Sequence, residues 1–171
     1  MNVIIAIDPG LSGGVAVNAF GKTVCHAMPA TQGDVLELIR DIKRTADVEG
    51  AECECVVEEV GGYAGKAQPG SAMFKFGESY GFIKGVVQAL GIKLVLVRPQ
   101  VWQKSFGLGT AASCASKSEW KNKLKAEAQR RFPQLNVTLK TADALLIIEW
   151  VRAARGQSGD VSPHSKVTLL T

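Results

Sequence analysis

The stretch IAIDPGLSGGVA, residues 5–16, decides how the rest of the chain can be arranged. It completes the short apolar run VIIAI at residues 3–7, which is typical of a buried strand, and Asp8-Pro9-Gly10 closes that run as a turn does. After the glycines, the run VAVNAF at residues 15–20 predicts a second strand. Asp8 therefore stands at the end of a buried strand, where a carboxylate can take part in chemistry.

Strand and helix patterns alternate along the remainder of the chain. Strand patterns occupy residues 22–28, 53–60 and 94–99, and apolar residues recur at helical spacing over 34–48, 78–91, 119–131 and 141–154. We expect Asp34 to cap the first helix, the Gly-rich segment 61–77 to form a loop, and the small-residue segment 100–117 to be a linker. The alternating order predicts an α/β domain.

Length and composition bound the organisation of the chain. With 171 residues, of which 46% are hydrophobic, it can bury one sizeable core but hardly two. We expect a single domain over residues 1–155 and a loosely ordered tail over 156–171. The apolar stretches are too short to cross a bilayer, and the N-terminus lacks a signal-peptide pattern, so we expect a cytoplasmic protein without a membrane segment.

The cysteines agree with a reducing compartment. No CxxC pair occurs, and Cys53 and Cys55 lie two apart in a strand pattern, which points both side chains to the same face. We interpret the cysteines as structural thiols rather than zinc ligands. The two histidines are isolated in sequence, so a histidine-based nucleophilic mechanism has no support.

Three acidic residues occupy prominent places in the predicted elements. Asp8 ends the first strand, Glu58 lies in the fourth, and Asp143 opens the last helix. Because a strand alternates its side chains, Glu58 and Glu59 face opposite sides, and only one of them can share a site with Asp8. Taken singly, each acid is more often an ion-pair partner or a helix cap than a ligand.

The segments IAIDPGLSGGVA, VVEEV and ADALLIIEW resemble, in order and spacing, the three acidic motifs of RuvC-type Holliday-junction resolvases, which belong to the RNase H-like superfamily. The likeness covers most of the chain. VRPQVWQK and KSEWKNKLKAEAQRRFP look particularly like the phage and chloroplast branch of that family. The resemblance implies an RNase H-like fold, in which helices flank a mixed five-stranded sheet.

The same resemblance implies an endonuclease that resolves four-way DNA junctions by paired symmetric nicks. It selects Glu58 rather than Glu59, and it implies that Asp8, Glu58 and Asp143 hold two Mg²⁺ ions, which Mn²⁺ can replace, with Asp8 as the shared ligand. Hard cations require such oxygen ligands, and two of them can serve both sides of a phosphodiester cleavage.

Lys140 is a departure from the family pattern. RuvC-type enzymes usually carry a fourth acidic or histidine residue about one helical turn before the last aspartate, where this chain has Lys140 or its neighbours. Lys140 could neutralise Asp143, orient the attacking water, or point to the scissile backbone, and the sequence leaves all three open.

Basic and aromatic residues form the predicted DNA interface. On charge alone the lysines between 104 and 131 would be a solvated helix face, but the resemblance favours phosphate binding by Lys104, Lys117, Lys121 and Lys123. In the predicted loop after Glu58, aromatic and basic side chains either contact unpaired bases or pack in the core. These side chains are Tyr63, Lys66, Phe74, Lys75 and Phe76.

Gly77, Gly81 and Gly85 recur at every fourth position and give one helix a smooth stripe. Such a stripe permits close approach either of the sheet or of a partner helix. The family resemblance implies the second, a homodimer with two-fold symmetry that matches the symmetry of a four-way junction.

Other functions stay open on the sequence. The segment DPGxxxG also resembles the phosphate-binding hairpin of sugar kinases, but those proteins need two domains around a nucleotide, so we expect no nucleotide cofactor. A non-catalytic binder of branched DNA would keep the basic surface without needing three acids. A flap-directed or RNA-directed nuclease of the same superfamily would keep the acids but cut another substrate.

Overall fold

The computed structural model describes residues 2–61 and 70–156, and this part of the chain forms a sheet covered by helices on both faces. The strands are β1 (Asn2–Asp8), β2 (Gly14–Ala19), β3 (Lys22–Ala27), β4 (Glu52–Glu58) and β5 (Lys93–Val97). The helices are α1 (Gln32–Val48), α2 (Gly70–Ala89), α3 (Pro99–Lys104), α4 (Lys117–Arg131) and α5 (Ala142–Gly156), with a 3₁₀ turn at Ala111–Ser113.

The described strands lie in the order β3-β2-β1-β4-β5. The hairpin strands β2 and β3 run antiparallel to their neighbours, whereas β1, β4 and β5 are parallel. This arrangement confirms the predicted mixed five-stranded sheet with flanking helices. It also brings the carboxyl ends of β1, β4 and β5 to one edge, where side chains from distant parts of the sequence can meet.

The central strand β1 shows how the apolar run produces two cores. Val3, Ile5 and Ile7 face the layer formed by α1 and α2, whereas Ile4 and Ala6 face the layer formed by α4 and α5. All five side chains are buried. Because each large apolar side chain gains roughly 1.5–3 kcal/mol when it leaves water, a strand apolar on both sides is stable only between two helical layers.

Helix α5 supplies much of the core on its side of the sheet. Every residue from Ala142 to Ile148 is buried, and the helix packs against β1, β2 and α4. A helix that is apolar nearly all round must be covered on several sides, which explains the string ALLII in the sequence. Its first turn is thereby held under the middle of the sheet.

The cap of α1 differs from the prediction. Thr31, not Asp34, is the N-cap, and its hydroxyl accepts a hydrogen bond from the Asp34 amide at 3.1 Å. Asp34 lies in the first turn, where its negative charge is favoured by the helix dipole. The helix buries Val35 and Ile39 against the sheet.

Two segments predicted as loop or linker contain helix. Helix α2 begins at Gly70, so Phe74, Lys75 and Phe76 are helical rather than in a loop. The residues 71–76 tolerate helix well, and a glycine costs only about 1 kcal/mol, which packing against α1 and β5 offsets. The short helix α3 occupies the start of the predicted linker, and Pro99, predicted to end the preceding strand, is its first residue, where a missing amide costs nothing.

Cys53 and Cys55 both face the α1–α2 layer, as the period of two in the strand predicts, and both are free thiols. Among the described residues, no helix combines the length and hydropathy needed to cross a membrane. Gly156, the first residue of the predicted tail, still belongs to α5, and the rest of that tail, Tyr63 and Lys66 lie outside the described residues.

Candidate active site

Two acids stand side by side at the edge where β1 and β4 end. Asp8 is the last residue of β1 and Glu58 the last of β4, and the parallel register pairs Ile7 with Val57 one residue before them. Alternation along the strands turns both acids toward the layer of α4 and α5. Glu59 turns the other way, to the surface, and accepts a hydrogen bond from Arg98 at 3.1 Å.

The third acid comes from α5. Asp143 is the second residue of this helix and is only 2% exposed. It lies close enough to Asp8 and Glu58 to repel both of their carboxylates. Three acids from β1, β4 and α5 therefore share one partly buried space, as the sequence motifs predict.

Burial and mutual repulsion change the acidity of the cluster. Desolvation raises the pKa of Asp8 to about 7, with repulsion from Asp143 adding to it. Desolvation likewise raises the pKa of Glu58 to about 8, with smaller contributions from Asp8 and Asp143. Because burial and mutual repulsion disfavour the charged carboxylates more than nearby positive charge favours them, the cluster is a place where an added cation is stabilised.

Lys121 supplies the positive charge that the cluster has. Its ammonium forms an ion pair with Asp143 Oδ2 and also attracts the carboxylates of Asp8 and Glu58. Burial works against the charged form of this lysine, but the three acids outweigh it, and its pKa is raised. The sequence places Lys121 in the DNA interface, whereas the structure places it against the acids.

Trp102 holds Glu58 and is a site residue that the sequence analysis missed. Its indole N–H donates a hydrogen bond to Glu58 Oε2 at 2.9 Å, and the side chain is fully buried. This bond lowers the pKa of Glu58 against the larger effect of burial. The one available signal was the family-like segment VRPQVWQK, because 44 residues separate the two partners.

The turn after β1 presses closely on the site. A Cβ atom on Gly13 would lie 2.1 Å from the Asp8 carbonyl oxygen, and one on Gly14 would lie 2.5 Å from the Lys140 carbonyl oxygen. Only glycine permits these approaches. The motif DPGLSGG therefore lets the turn bring Asp8 and the segment before α5 together.

The two aromatic residues at the start of α2 lie in different surroundings. Phe76 is half-buried, and its ring lies against Gly10, where an added Cβ would come within 2.8 Å of it. Phe74 is 74% exposed. The site thus uses Phe76 for packing beside the turn and leaves Phe74 available to a ligand.

The remaining predicted residues lie at the surface. Lys140 is exposed, and the ion pair with Asp143 belongs to Lys121 instead. The side chains of the other basic candidates are exposed on α2, α3 and α4, and Lys123 pairs with Glu119 on its own helix. These candidates are Lys75, Lys104, Lys117 and Lys123.

The glycine stripe of α2 faces outward. Gly77, Gly81 and Gly85 are exposed, and a Cβ atom added to any of them would meet nothing within 4 Å in the described part of the chain. Packing of the stripe on the sheet, one of the two alternatives, is therefore excluded.

The donor chemistry of the cluster fits a divalent cation. Asp143 Oδ1 is buried and has no hydrogen-bond partner among the described residues, which is costly for a charged group. Carboxylate oxygens are the ligands that Mg²⁺ and Mn²⁺ prefer. Within residues 2–61 and 70–156, however, no three acidic, histidine or cysteine side chains are placed to hold one ion together, and Lys121 occupies Asp143 Oδ2.

No protein-family model and no curated protein sequence matches this chain. Solved structures do. The Thermus thermophilus RuvC structure has a TM-score of 0.54 at 16% sequence identity, over 92% of this chain and 96% of that one. T. thermophilus RuvC in complex with a Holliday junction substrate has a TM-score of 0.53 at 18% identity, over 93% of this chain and 97% of the other. The chain is therefore shown to have the α/β fold of RuvC, the RNase H-like fold predicted from the sequence motifs.

Proposed function

We propose that this protein is a metal-dependent endonuclease that resolves four-way DNA junctions by paired symmetric nicks. The observation that carries the proposal is the meeting of three desolvated carboxylates, Asp8, Glu58 and Asp143, on one face of a sheet with the fold of RuvC. Three acids collected from separate elements at the expense of stability are characteristic of a functional site.

The carboxylates would hold two Mg²⁺ ions, with Asp8 as the shared ligand. Two such cations supply the positive charge that activates a water and stabilises the leaving 3′ oxygen of a phosphodiester. The protein's own contribution is placement: strand pairing holds Asp8 beside Glu58, Trp102 orients one Glu58 oxygen, and the buried start of α5 holds Asp143. Low exposure strengthens every charge interaction within the site.

Exposed basic side chains would bind the DNA backbone. Lys104, Lys117 and Lys123 lie on α3 and α4, the helices that also provide Trp102 and Lys121 to the site. Phosphate contacts by such lysines add affinity that falls with salt. Lys140, exposed and not paired with Asp143, is best suited to contact the scissile backbone.

A four-way junction is the proposed substrate. T. thermophilus RuvC, whose fold this chain shares, is described in complex with a Holliday junction substrate. Phe74 projects its ring from the start of α2, with 74% of its surface exposed, and can stack on an unpaired base at the branch point. The segments VRPQVWQK and KSEWKNKLKAEAQRRFP favour the phage and chloroplast branch of RuvC-type enzymes.

We further propose a two-fold homodimer through α2. The outward stripe of Gly77, Gly81 and Gly85 allows a second α2 to approach closely, and two-fold symmetry places two active sites on one junction. Gly81→Arg would then give a monomer that binds a junction weakly and nicks its strands without pairing. Sedimentation equilibrium of the wild-type protein and of Gly81→Arg measures the oligomeric state directly.

A non-catalytic binder of branched DNA is the second candidate. It is favoured by Lys140, at the place of the family's fourth acidic or histidine residue, and by the Lys121 ammonium, which neutralises Asp143. Such a protein would recognise junctions without requiring a metal.

The decisive experiment compares a mobile four-way junction with a linear duplex, a flap and an RNA–DNA hybrid, each with Mg²⁺ or Mn²⁺. We expect paired, ligatable nicks in the junction that Asp8→Asn and Glu58→Gln abolish. Glu59→Gln is the matched control, because Glu59 directly follows Glu58 in the chain but faces away from the site and accepts a hydrogen bond from Arg98.

The other outcomes separate the candidates. If the wild-type protein binds the junction tightly without cutting it, and Lys140→Asp does cut it, the protein is a binder whose fourth ligand is missing. Cleavage of only the flap or the hybrid would assign a different substrate, and absence of junction-selective binding would overturn the proposal.

A further inference from the structure

Lys121 reaches into the acid cluster from a helix that is itself firmly packed. Its neighbours Trp120 and Leu124 are buried in the core under the sheet, which holds α4 in place. The Lys121 side chain is 34% exposed, whereas the side chain of its partner Asp143 is only 3% exposed. The ammonium therefore lies at the mouth of the site, between the buried acids and solvent.

The ammonium compensates the acids only in part. It contacts Asp143 Oδ2, while Asp143 Oδ1 stays buried and without a partner in the described part of the chain. Asp8 and Glu58 feel its charge, but neither forms an ion pair with it among the described contacts. One monovalent group thus serves a cluster whose oxygen atoms suit a cation of higher charge.

We propose that Lys121 is an internal counterion that competes with divalent metal for Asp143, holding the acids together when no metal is bound and leaving when metal enters. This inference rests on the proposed metal-dependent function. An ion at Asp143 Oδ2 and the lysine ammonium cannot occupy the same place, and both carry the positive charge that the cluster attracts.

The lysine can leave without disturbing the fold. Its four-carbon side chain is flexible and already partly in solvent, so rotation about its own bonds moves the ammonium outward while α4 stays fixed. Lysine suits this task because its ammonium is a point charge that binds one oxygen, whereas a bidentate arginine would hold both carboxylate oxygens. The exchange therefore costs the protein one ion pair.

If Lys121 were a metal ligand or supported one, its removal would weaken metal binding, and competition predicts the opposite. In Lys121→Met, Mg²⁺ and Mn²⁺ should bind more tightly, on the order of tenfold, because no ammonium has to be displaced. The metal-free variant should also unfold at a lower temperature, since the acids lose their counterion, and saturating Mg²⁺ should remove most of that difference.

The matched control is Lys43→Met. Lys43 also forms an ion pair with a carboxylate, that of Asp47, and its side chain is 22% exposed, but it lies on α1 across the sheet. Isothermal titration calorimetry of the full chain with MgCl₂ and MnCl₂, together with thermal denaturation in EDTA, compares the three proteins. Lys43→Met should leave metal affinity unchanged.

A second measurement uses the wild-type protein and does not depend on how the variant folds. An amine-reactive reagent, followed by mass spectrometry, reports how accessible each lysine is. Saturation with Mg²⁺ should raise the labelling of Lys121 severalfold and leave that of Lys43 unchanged.

The outcomes distinguish this inference from the proposed function. Equal or weaker metal binding by Lys121→Met, or Lys121 labelling that does not rise with Mg²⁺, would overturn the competition while leaving a metal-dependent nuclease intact. If neither the wild type nor the variant binds Mg²⁺ or Mn²⁺ in a saturable manner, both the inference and the metal-dependent function fail.

Discussion

Helices α4 and α5 bury carboxylates in two places, and the two are treated in opposite ways. Glu127 is 8% exposed and accepts hydrogen bonds from Arg130 at 2.7 and 2.9 Å and from Arg131 at 2.6 Å. Asp143 is 2% exposed, pairs with one lysine through one oxygen, and has two other acids as neighbours.

The pKa values of these carboxylates reflect the difference in their surroundings. The hydrogen bond from Arg130, followed by the contacts of Arg131, holds the pKa of Glu127 below its usual value despite burial. Burial and repulsion raise the pKa of Asp8 and Glu58. The charge of a buried acid surrounded by arginines is compensated, so that removing one partner costs stability, whereas buried acids that face one another store unfavourable charge that a ligand can relieve.

The largest expected effect separates activity from stability. Asp8→Asn should lower junction cleavage by about a thousandfold, since it would remove the proposed shared metal ligand, yet raise the metal-free Tm by removing a repelling charge. Glu127→Gln should do the reverse, lowering Tm by about 5 °C with cleavage retained. Nicking assays and thermal denaturation of both variants test this. Loss of cleavage by Glu127→Gln at a temperature where the variant is folded would contradict the separation of a structural acid from the acids of the site.

Trp102 is expected to have the next largest effect. Trp102→Phe keeps an aromatic ring but removes the hydrogen bond to Glu58, and should lower cleavage by about 10-fold to 100-fold. Trp120→Phe is the control, because Trp120 is also buried but, in the part of the chain that the structure describes, its N–H donates no hydrogen bond to the three acids. Both variants should lose some thermal stability. Equal cleavage by the two would show that Trp102 only fills space.

The two groups of acids should respond to pH in opposite directions. In the folded state the pKa values of Asp8 and Glu58 lie above their ordinary values of 3.8 and 4.5, so both groups bind protons more tightly than in the unfolded chain. The metal-free protein should therefore lose stability as pH rises toward about 8. Glu127, with a lowered pKa, contributes stability that is lost as pH falls below its ordinary value of 4.5.

Thermal denaturation in EDTA from pH 4 to 9 measures both limbs. Asp8→Asn should reduce the loss of stability at high pH, raising Tm by on the order of 5 °C at pH 8, without changing how Tm falls at acid pH. Glu127→Gln should flatten only the acid limb. An unchanged high-pH limb in Asp8→Asn would contradict the assignment of stored charge to the cluster.

The smallest effects lie within the arginine network. Arg131 bonds both Glu127 and Glu149 and lies 4.8 Å from the Phe106 ring centroid, and its side chain is 27% exposed. Within the described ranges, Arg130 forms hydrogen bonds to Glu127 alone, and its side chain is 66% exposed. Arg131→Gln should lower Tm by about 3 °C and Arg130→Gln by about 1 °C or less. The reverse order would show that exposure does not decide the strength of these pairs.

Local patterns in the sequence were sufficient for the frame of the site. The apolar run of β1 predicts a strand buried on both faces, and the period of two along β4 separates Glu58 from Glu59. The string ALLII predicts that α5 is buried, which carries Asp143 with it. These features depend on neighbouring residues, so a short window of sequence contains their cause.

Contacts between distant elements were decided only by the tertiary structure. That Lys121, not Lys140, pairs with Asp143 depends on how α4 packs against α5, and that Trp102 bonds Glu58 depends on how α3 follows β5. The partners lie 22 and 44 residues apart, and no periodicity links them. The family-like acidic motifs therefore indicated which acids could meet, whereas helix packing decided which cation and which donor they met, because only packing sets distances between separate elements.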